Sequence, residues 1–281
     1  LTVTTVSVNS KTIQTGSGGS NITLGAVAAT NITGSSGIDN ITFDGSTAYT
    51  GTIALAAGVN VINLVTGSNI GGATVSATSG SINFGLASGA SVTMNDASHD
   101  LLVAGTVTAG GSETITISDA ATITTDNAIE AYSMAAGMTV TVGTGAGSLA
   151  QVITETGTEA VSTVTLGNGI YTGNWVGFDA ADIVKINASG SDISGNTGLN
   201  GGVKLDFQAA TANTTLNATQ NGVVTFINAG ANVQTVNLSA VDTFTTTNTI
   251  EAYSGIGGGV VTLAASHTAA NIAMTTAGAT T

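Results

Sequence analysis

The chain has 281 residues, of which 42% are hydrophobic and 7% charged, with no Cys or Pro and a formal net charge of −13. Its basic residues are Lys11, Lys185 and Lys204 beside two histidines, so it lacks the cations that neutralise nucleic-acid phosphates or hold anionic lipid. It is not built like a disordered chain either, because β-branched Val, Ile and Thr abound and Pro is absent.

Val, Ile and Thr pack well on a pleated surface, whereas the long helix formers Lys, Arg, Glu, Gln and Met are scarce. The expected fold class is therefore all-β. No apolar run is long enough to span a bilayer as a helix. Absence of cysteine excludes a disulfide framework. An acidic chain with so few internal cations needs counterions, and Ca²⁺, which prefers oxygen ligands, is the expected cofactor.

The N-terminal part repeats Asn-Ile-Thr at Asn21, Asn31 and Asn40. Further short strands are predicted at Val59–Val65, Ser81–Leu86, Ser91–Met94, Leu101–Val103 and Glu113–Ser118. Gly, Ser, Asn and Asp fill the gaps, as turns require. Two architectures fit this beat. A β-solenoid, or parallel β-helix, stacks short strands coil on coil with small, stacked side chains inside. Tandem β-sandwich modules would join antiparallel strands through turns such as Asp44-Gly45, Asn168-Gly169 and Asn221-Gly222. The aromatic content of 4% favours the solenoid.

Later in the chain one unit occurs twice. Ile129-Glu130-Ala131-Tyr132-Ser133 returns as Ile250-Glu251-Ala252-Tyr253-Ser254, and Thr114–Ser118 falls on Thr235–Ser239. This divides the chain into an N-terminal β-repeat region at 1–100, one repeat unit at 101–221 and a second, truncated unit at 222–281. The truncation leads to the expectation that the chain is a fragment of a longer protein.

Several carboxylates are candidate calcium ligands. Asp39 ends the Gly-rich run Gly34-Ser35-Ser36-Gly37-Ile38-Asp39, and Asp44 follows it. Asp96 and Asp100 flank His99, Asp179 and Asp182 lie close together, and Asp192 sits in a Gly/Ser-rich loop. Each has an alternative reading as a turn cap or a solvated loop residue. Asp119 and Asp126 bracket a strand of the first copy, but the second copy has Ala240 and Thr247 there. The histidines, His99 and His267, are far apart and have no metal-ligand spacing. Tyr171, Trp175 and Phe178 form the one aromatic cluster, read either as a contact patch for sugar or partner or as a packed plug between the repeat copies. There is no G-x-S-x-G elbow and no Arg to neutralise an acidic sugar. Asp179/Asp182 and Asp96/Asp100 are formal acid pairs for glycan cleavage. The expectation is a non-enzyme.

Gly34–Thr42 resembles one nonapeptide of the RTX repeat, with Ser35 standing where Gly is usual. Residues 248–265 and 113–118 look like the repetitive region of Gram-negative S-layer proteins of the RTX, type I-secreted kind. The resemblance implies a structural, secreted protein at the cell surface that self-assembles into a coat lattice with calcium support and anchors to surface glycan. It implies neither nucleic-acid binding nor membrane insertion. Adhesins and matrix fibres share the same compositional style and are the alternative, with a glycan-cleaving β-helix a minor one.

Overall fold

The structure is a computed structural model. It describes residues 2–5, 11–25, 29–44, 48–78, 80–119, 122–143, 148–157, 160–187, 190–199, 202–208, 212–227, 234–240, 243–245, 250, 252–256, 260–262 and 271–275. His267 and Glu251 lie outside them. Two compact units, Leu1–Ala135 and Ala136–Thr281, make up the chain.

Each unit is a parallel β-solenoid. In the first, one face stacks Thr2–Thr5, Ser20–Leu24, Asp39–Phe43, Val59–Leu64, Ser81–Leu86 and Val107–Thr108. A second face stacks Thr12–Gln14, Asn31–Thr33, Thr52–Leu55 and Thr74–Ala77. A third runs from Asn69–Ile70 through Ser91–Met94 and Thr114–Ile117 to Ala131–Ala135. In the second unit, Thr139–Thr141, Thr163–Leu166, Ile183–Ile186, Lys204–Phe207 and Thr225–Ile227 form one face. Another runs from Ser148–Leu149 to Asn271–Thr275. Among the described residues every strand pairing is parallel, so the sandwich alternative, which needs antiparallel hairpins, is not the fold.

The stacking follows from strand alternation. Successive side chains point to opposite faces of a strand, so each short strand turns one or two apolar residues inward. Coil on coil, these align in register. Ile22, Ile41, Ile62 and Phe84 form one buried column. Leu24, Phe43, Leu64 and Leu86 form the next. The second unit has Val140, Val164, Val184, Leu205 and Phe226 in the same relation. Burying one such side chain contributes about 1.5–3 kcal/mol.

The Asn-Ile-Thr beat is also explained. Asn21 and Asn40 are register partners one coil apart, and the Asn40 Nδ2 donates to Asn21 Oδ1 at 2.9 Å. Asn31 begins a strand of the second face, so the ten-residue beat is half a coil. Its Oδ1 accepts the Thr52 N–H at 2.9 Å.

The duplication is structural as well as sequential. Thr114, Ile115 and Thr116 pair with Ala131, Tyr132 and Ser133. Thr235, Val236 and Asn237 pair with Ala252, Tyr253 and Ser254. Both copies carry a short coil, with partners 17 residues apart, where the Asp39–Phe43 strand pairs with Ser20–Leu24 at 19. Both copies also place a helix before it: α1, Asp96–Ala104, and α2, Ala218–Val223. The strand expected at Leu101–Val103 is thus part of a helix. Asn95 starts it by accepting the Ser98 N–H, and Asn217 starts α2 with a reciprocal capping box to Gln220.

Candidate functional site

The polar chemistry of the fold is concentrated where strands begin. The residue two positions before the first inward hydrophobe shares its face, so it is turned inward too. Ser20 precedes Ile22 in this way, Asp39 precedes Ile41, Asn60 precedes Ile62 and Glu113 precedes Ile115. In the second unit Ser162, Asp182 and Gln234 stand likewise before Val164, Val184 and Val236. All seven are buried, with 3% exposure or less. A buried polar group is costly unless it is hydrogen-bonded. Asp39, Asn60, Glu113, Ser162 and Asp182 meet that demand by holding the turn beside them or the coil next to them.

Asp39 is fully buried. Its Oδ2 accepts the Thr15 hydroxyl at 3.1 Å and the Ser35 N–H at 3.4 Å. Its own N–H donates to Asn60 Oδ1 at 2.9 Å, tying it to another coil. Its Oδ1 and the neighbouring Ser20 Oγ have no hydrogen-bond partner among the described residues. The glycines of the run have a packing reason. A Cβ on Gly37 would lie 2.1 Å from the Gly19 nitrogen, and one on Gly34 would lie 2.8 Å from the Leu55 Cα. The nonapeptide-like run is thus a tight corner with an inward carboxylate. Ca²⁺ needs six to eight oxygen ligands. Asp39 offers one free carboxylate oxygen, and no group of three or more His, Cys, Asp or Glu among the described residues could hold a metal ion. The residues at this corner do not fit an internal calcium site.

Glu113 is a second buried corner carboxylate. It accepts the N–H groups of Gly110 at 2.8 Å and Gly111 at 3.0 Å, and its N–H donates to Glu130 Oε2 at 3.1 Å. Burial pushes its carboxyl up, but the hydrogen bonds from the Glu130 side chain and the turn outweigh this and hold it below the usual carboxylate range.

The third corner joins two carboxyls. Ser162 N–H donates to Asp182 Oδ1 at 2.8 Å, and Asp179 N–H donates to Asp182 Oδ2 at 2.7 Å. Glu155, with 6% exposure, accepts the Ser162 hydroxyl at 3.1 Å. Its carboxyl lies beside that of Asp182, and Ser162 donates to both. Burial, and then the charge of Asp182, push Glu155 up to about 7.

The other candidates occupy turns and the surface. Asp44 is exposed just beyond Asp39–Phe43. Asp192 Oδ1 caps its own turn by accepting the Ser194 N–H and hydroxyl. Asp179 Oδ1 accepts the Ala181 N–H at 2.7 Å. Asp96 opens α1, and its N–H donates to Asp119 Oδ1 at 2.9 Å. Burial first, then the charges of Asp100 and Asp119, raise the Asp96 carboxyl. Asp100 itself is exposed.

His99 is fully buried on α1, its Nε2 lying 3.3 Å from the Tyr132 hydroxyl. That hydroxyl accepts the Asp126 N–H at 2.8 Å. Burial lowers the imidazole's affinity for a proton, against the opposing pull of Asp100 and Asp126.

Tyr171, Trp175 and Phe178 are all buried, at 1%, 2% and 4% exposure. The Tyr171 hydroxyl donates to the Gly167 carbonyl, and the Trp175 and Phe178 rings lie 6.4 Å apart. The cluster belongs to the core of the second unit, where a sugar platform would need an open ring face.

Sequence reasoning passed over Glu155 and Glu113. The signal was present: Glu155 lies two residues after the inward Ile153, and Glu113 two before the inward Ile115. Comparison with protein-family models, curated proteins and solved structures finds no match for the chain.

Proposed function

We propose that the chain is a structural, non-enzymatic protein of the cell exterior that assembles with copies of itself into a coat or fibre. The observation that carries this reading is the division of chemistry within the solenoid. Inward carboxylates at strand entries hold turns, whereas outward strand positions present neutral Asn, Ser and Thr in stacked rows. Thr139 and Thr141 pair with Thr163 and Thr165 in this way. Lys185 and Lys204 continue two of these rows, and the neutral remainder of such a face is suited to contact with further copies.

Calcium enters the proposal between molecules rather than inside one. Exposed Asp44 and Asp100 are available to it, and the net charge of −13 makes close approach of copies depend on counterions. Anchoring to surface glycan is part of the same proposal. Electron microscopy of the purified protein with and without a chelator tests it. Ordered sheets or fibres that disperse on chelation and return with Ca²⁺ are expected. A protein that stays monomeric with and without millimolar Ca²⁺ refutes it.

A further inference from the structure

The Glu155 corner holds more than a turn. Asp182 receives two backbone N–H donors, one on each oxygen, which is the environment of an ionised carboxylate. Ser162 Oγ accepts the Gly137 N–H at 2.9 Å, so its own proton goes to Glu155 Oε1. Glu155 Oε2 is buried and has no hydrogen-bond donor among the described residues. Two buried carboxyls that take their donors from one serine favour a proton on one of them, because buried like charges held close repel strongly.

The other groups facing the pair do not remove this need. Asp179 adds a further negative charge. The Lys204 ammonium donates at 3.2 Å to the carbonyl of Ala181, beside Asp182. On the backbone side, Gly177 runs so close that a Cβ there would lie 2.3 Å from the Glu155 carbonyl oxygen, so the corner has little room to relax.

We propose that Glu155 and Asp182, bridged by Ser162, form a proton-dependent lock, with the proton held on Glu155 beside ionised Asp182, that clasps this corner of the second unit and is released by base. The raised proton affinity of Glu155, up to about 7, places the release near neutrality. The sign is fixed by linkage. Between the ordinary glutamate value near 4.5 and the folded value near 7, the folded state holds a proton that the unfolded state has lost. Stability contributed by the lock is full below that window and is lost as pH rises through it.

The test is the unfolding equilibrium of the wild-type chain and of Glu155→Gln between pH 5 and pH 8. The Gln amide keeps an acceptor for the Ser162 hydroxyl but cannot ionise. Linkage predicts that the wild-type unfolding constant rises by up to about 70-fold relative to the variant over this range. Parallel profiles would overturn the lock. Infrared titration of the wild-type chain keeps the proposal testable should the variant fail to fold. A carboxylic-acid carbonyl band that persists at pH 6 and vanishes by pH 8 is expected. Absence of any such band above pH 6 would overturn it.

Discussion

Replacing Gly37 by Ala tests how the coils are held at their corners. No left-handed backbone is involved, so the effect is one of space. The new Cβ would lie 2.1 Å from the Gly19 nitrogen and 2.6 Å from its Cα, whereas ordinary van der Waals contact begins at 3.4 Å. Both opposing atoms are backbone, so no side chain can swing aside. The coils must part by about 1 Å at a place where strands are normally 4.7–4.9 Å apart. That strains the ladder bond from Ser20 N–H to the Ile38 carbonyl, now 3.2 Å, and the bond from Asp39 N–H to Asn60. Overpacking of this kind costs about 1–3 kcal/mol and each weakened hydrogen bond about 1 kcal/mol. A loss of about 3 kcal/mol lowers the Tm by about 6–12 °C in a chain of this size. Gly18→Ala is the internal control. A Cβ there meets nothing within 4 Å and the backbone is not left-handed. It should be neutral or stabilise by about 0.4–1 kcal/mol through the unfolded chain. Circular dichroism melts of the two variants decide the matter. Equal Tm values would refute the close-stacked corner.

Ile41 is fully buried between Ile22 and Ile62 in their column, so Ile41→Ala should cost about 2–5 kcal/mol and Ile41→Val about 0.5–1.5 kcal/mol in urea unfolding. His99 has its proton affinity lowered by burial, so its contribution is present above the ordinary imidazole value of 6.5 and is lost as pH falls below it. His99→Gln should flatten the fall in the urea midpoint between about pH 7 and pH 5, and an unchanged slope would contradict this. The first unit is therefore acid-sensitive at His99, whereas the second is base-sensitive at Glu155.

Much of the fold was legible because strand alternation and coil stacking obey the same two-residue rule. The Asn-Ile-Thr beat and the duplicated Ala-Tyr-Ser both appear in the ladder register. Leu101–Val103 misled because its apolar run fits strand and helix equally, and the decision rests with the Asn95 cap upstream. Carboxylate spacing was a poor guide to the polar corners. Asp179 and Asp182 are near neighbours in sequence, yet the group whose proton affinity Asp182 helps to raise is Glu155, 27 positions earlier and brought in by the turn of one coil. Trp175 shows the opposite limit. Its sequence fits a contact patch and a packed plug alike, and the inward side of its strand shows it to be core.

The short spacing between register partners has a kinetic consequence. Ser20 meets Asp39 after 19 residues, and Thr235 meets Ala252 after 17. No strand in these pairs waits for a distant part of the chain. Loop closure over such distances is fast and costs little more for one coil than for the next. A finished coil offers the next segment a ready edge with its donors and acceptors already spaced. The chain can thus be wound up progressively from its growing end, each turn serving as the mould for its successor, with no need for the whole polypeptide to be present before order begins.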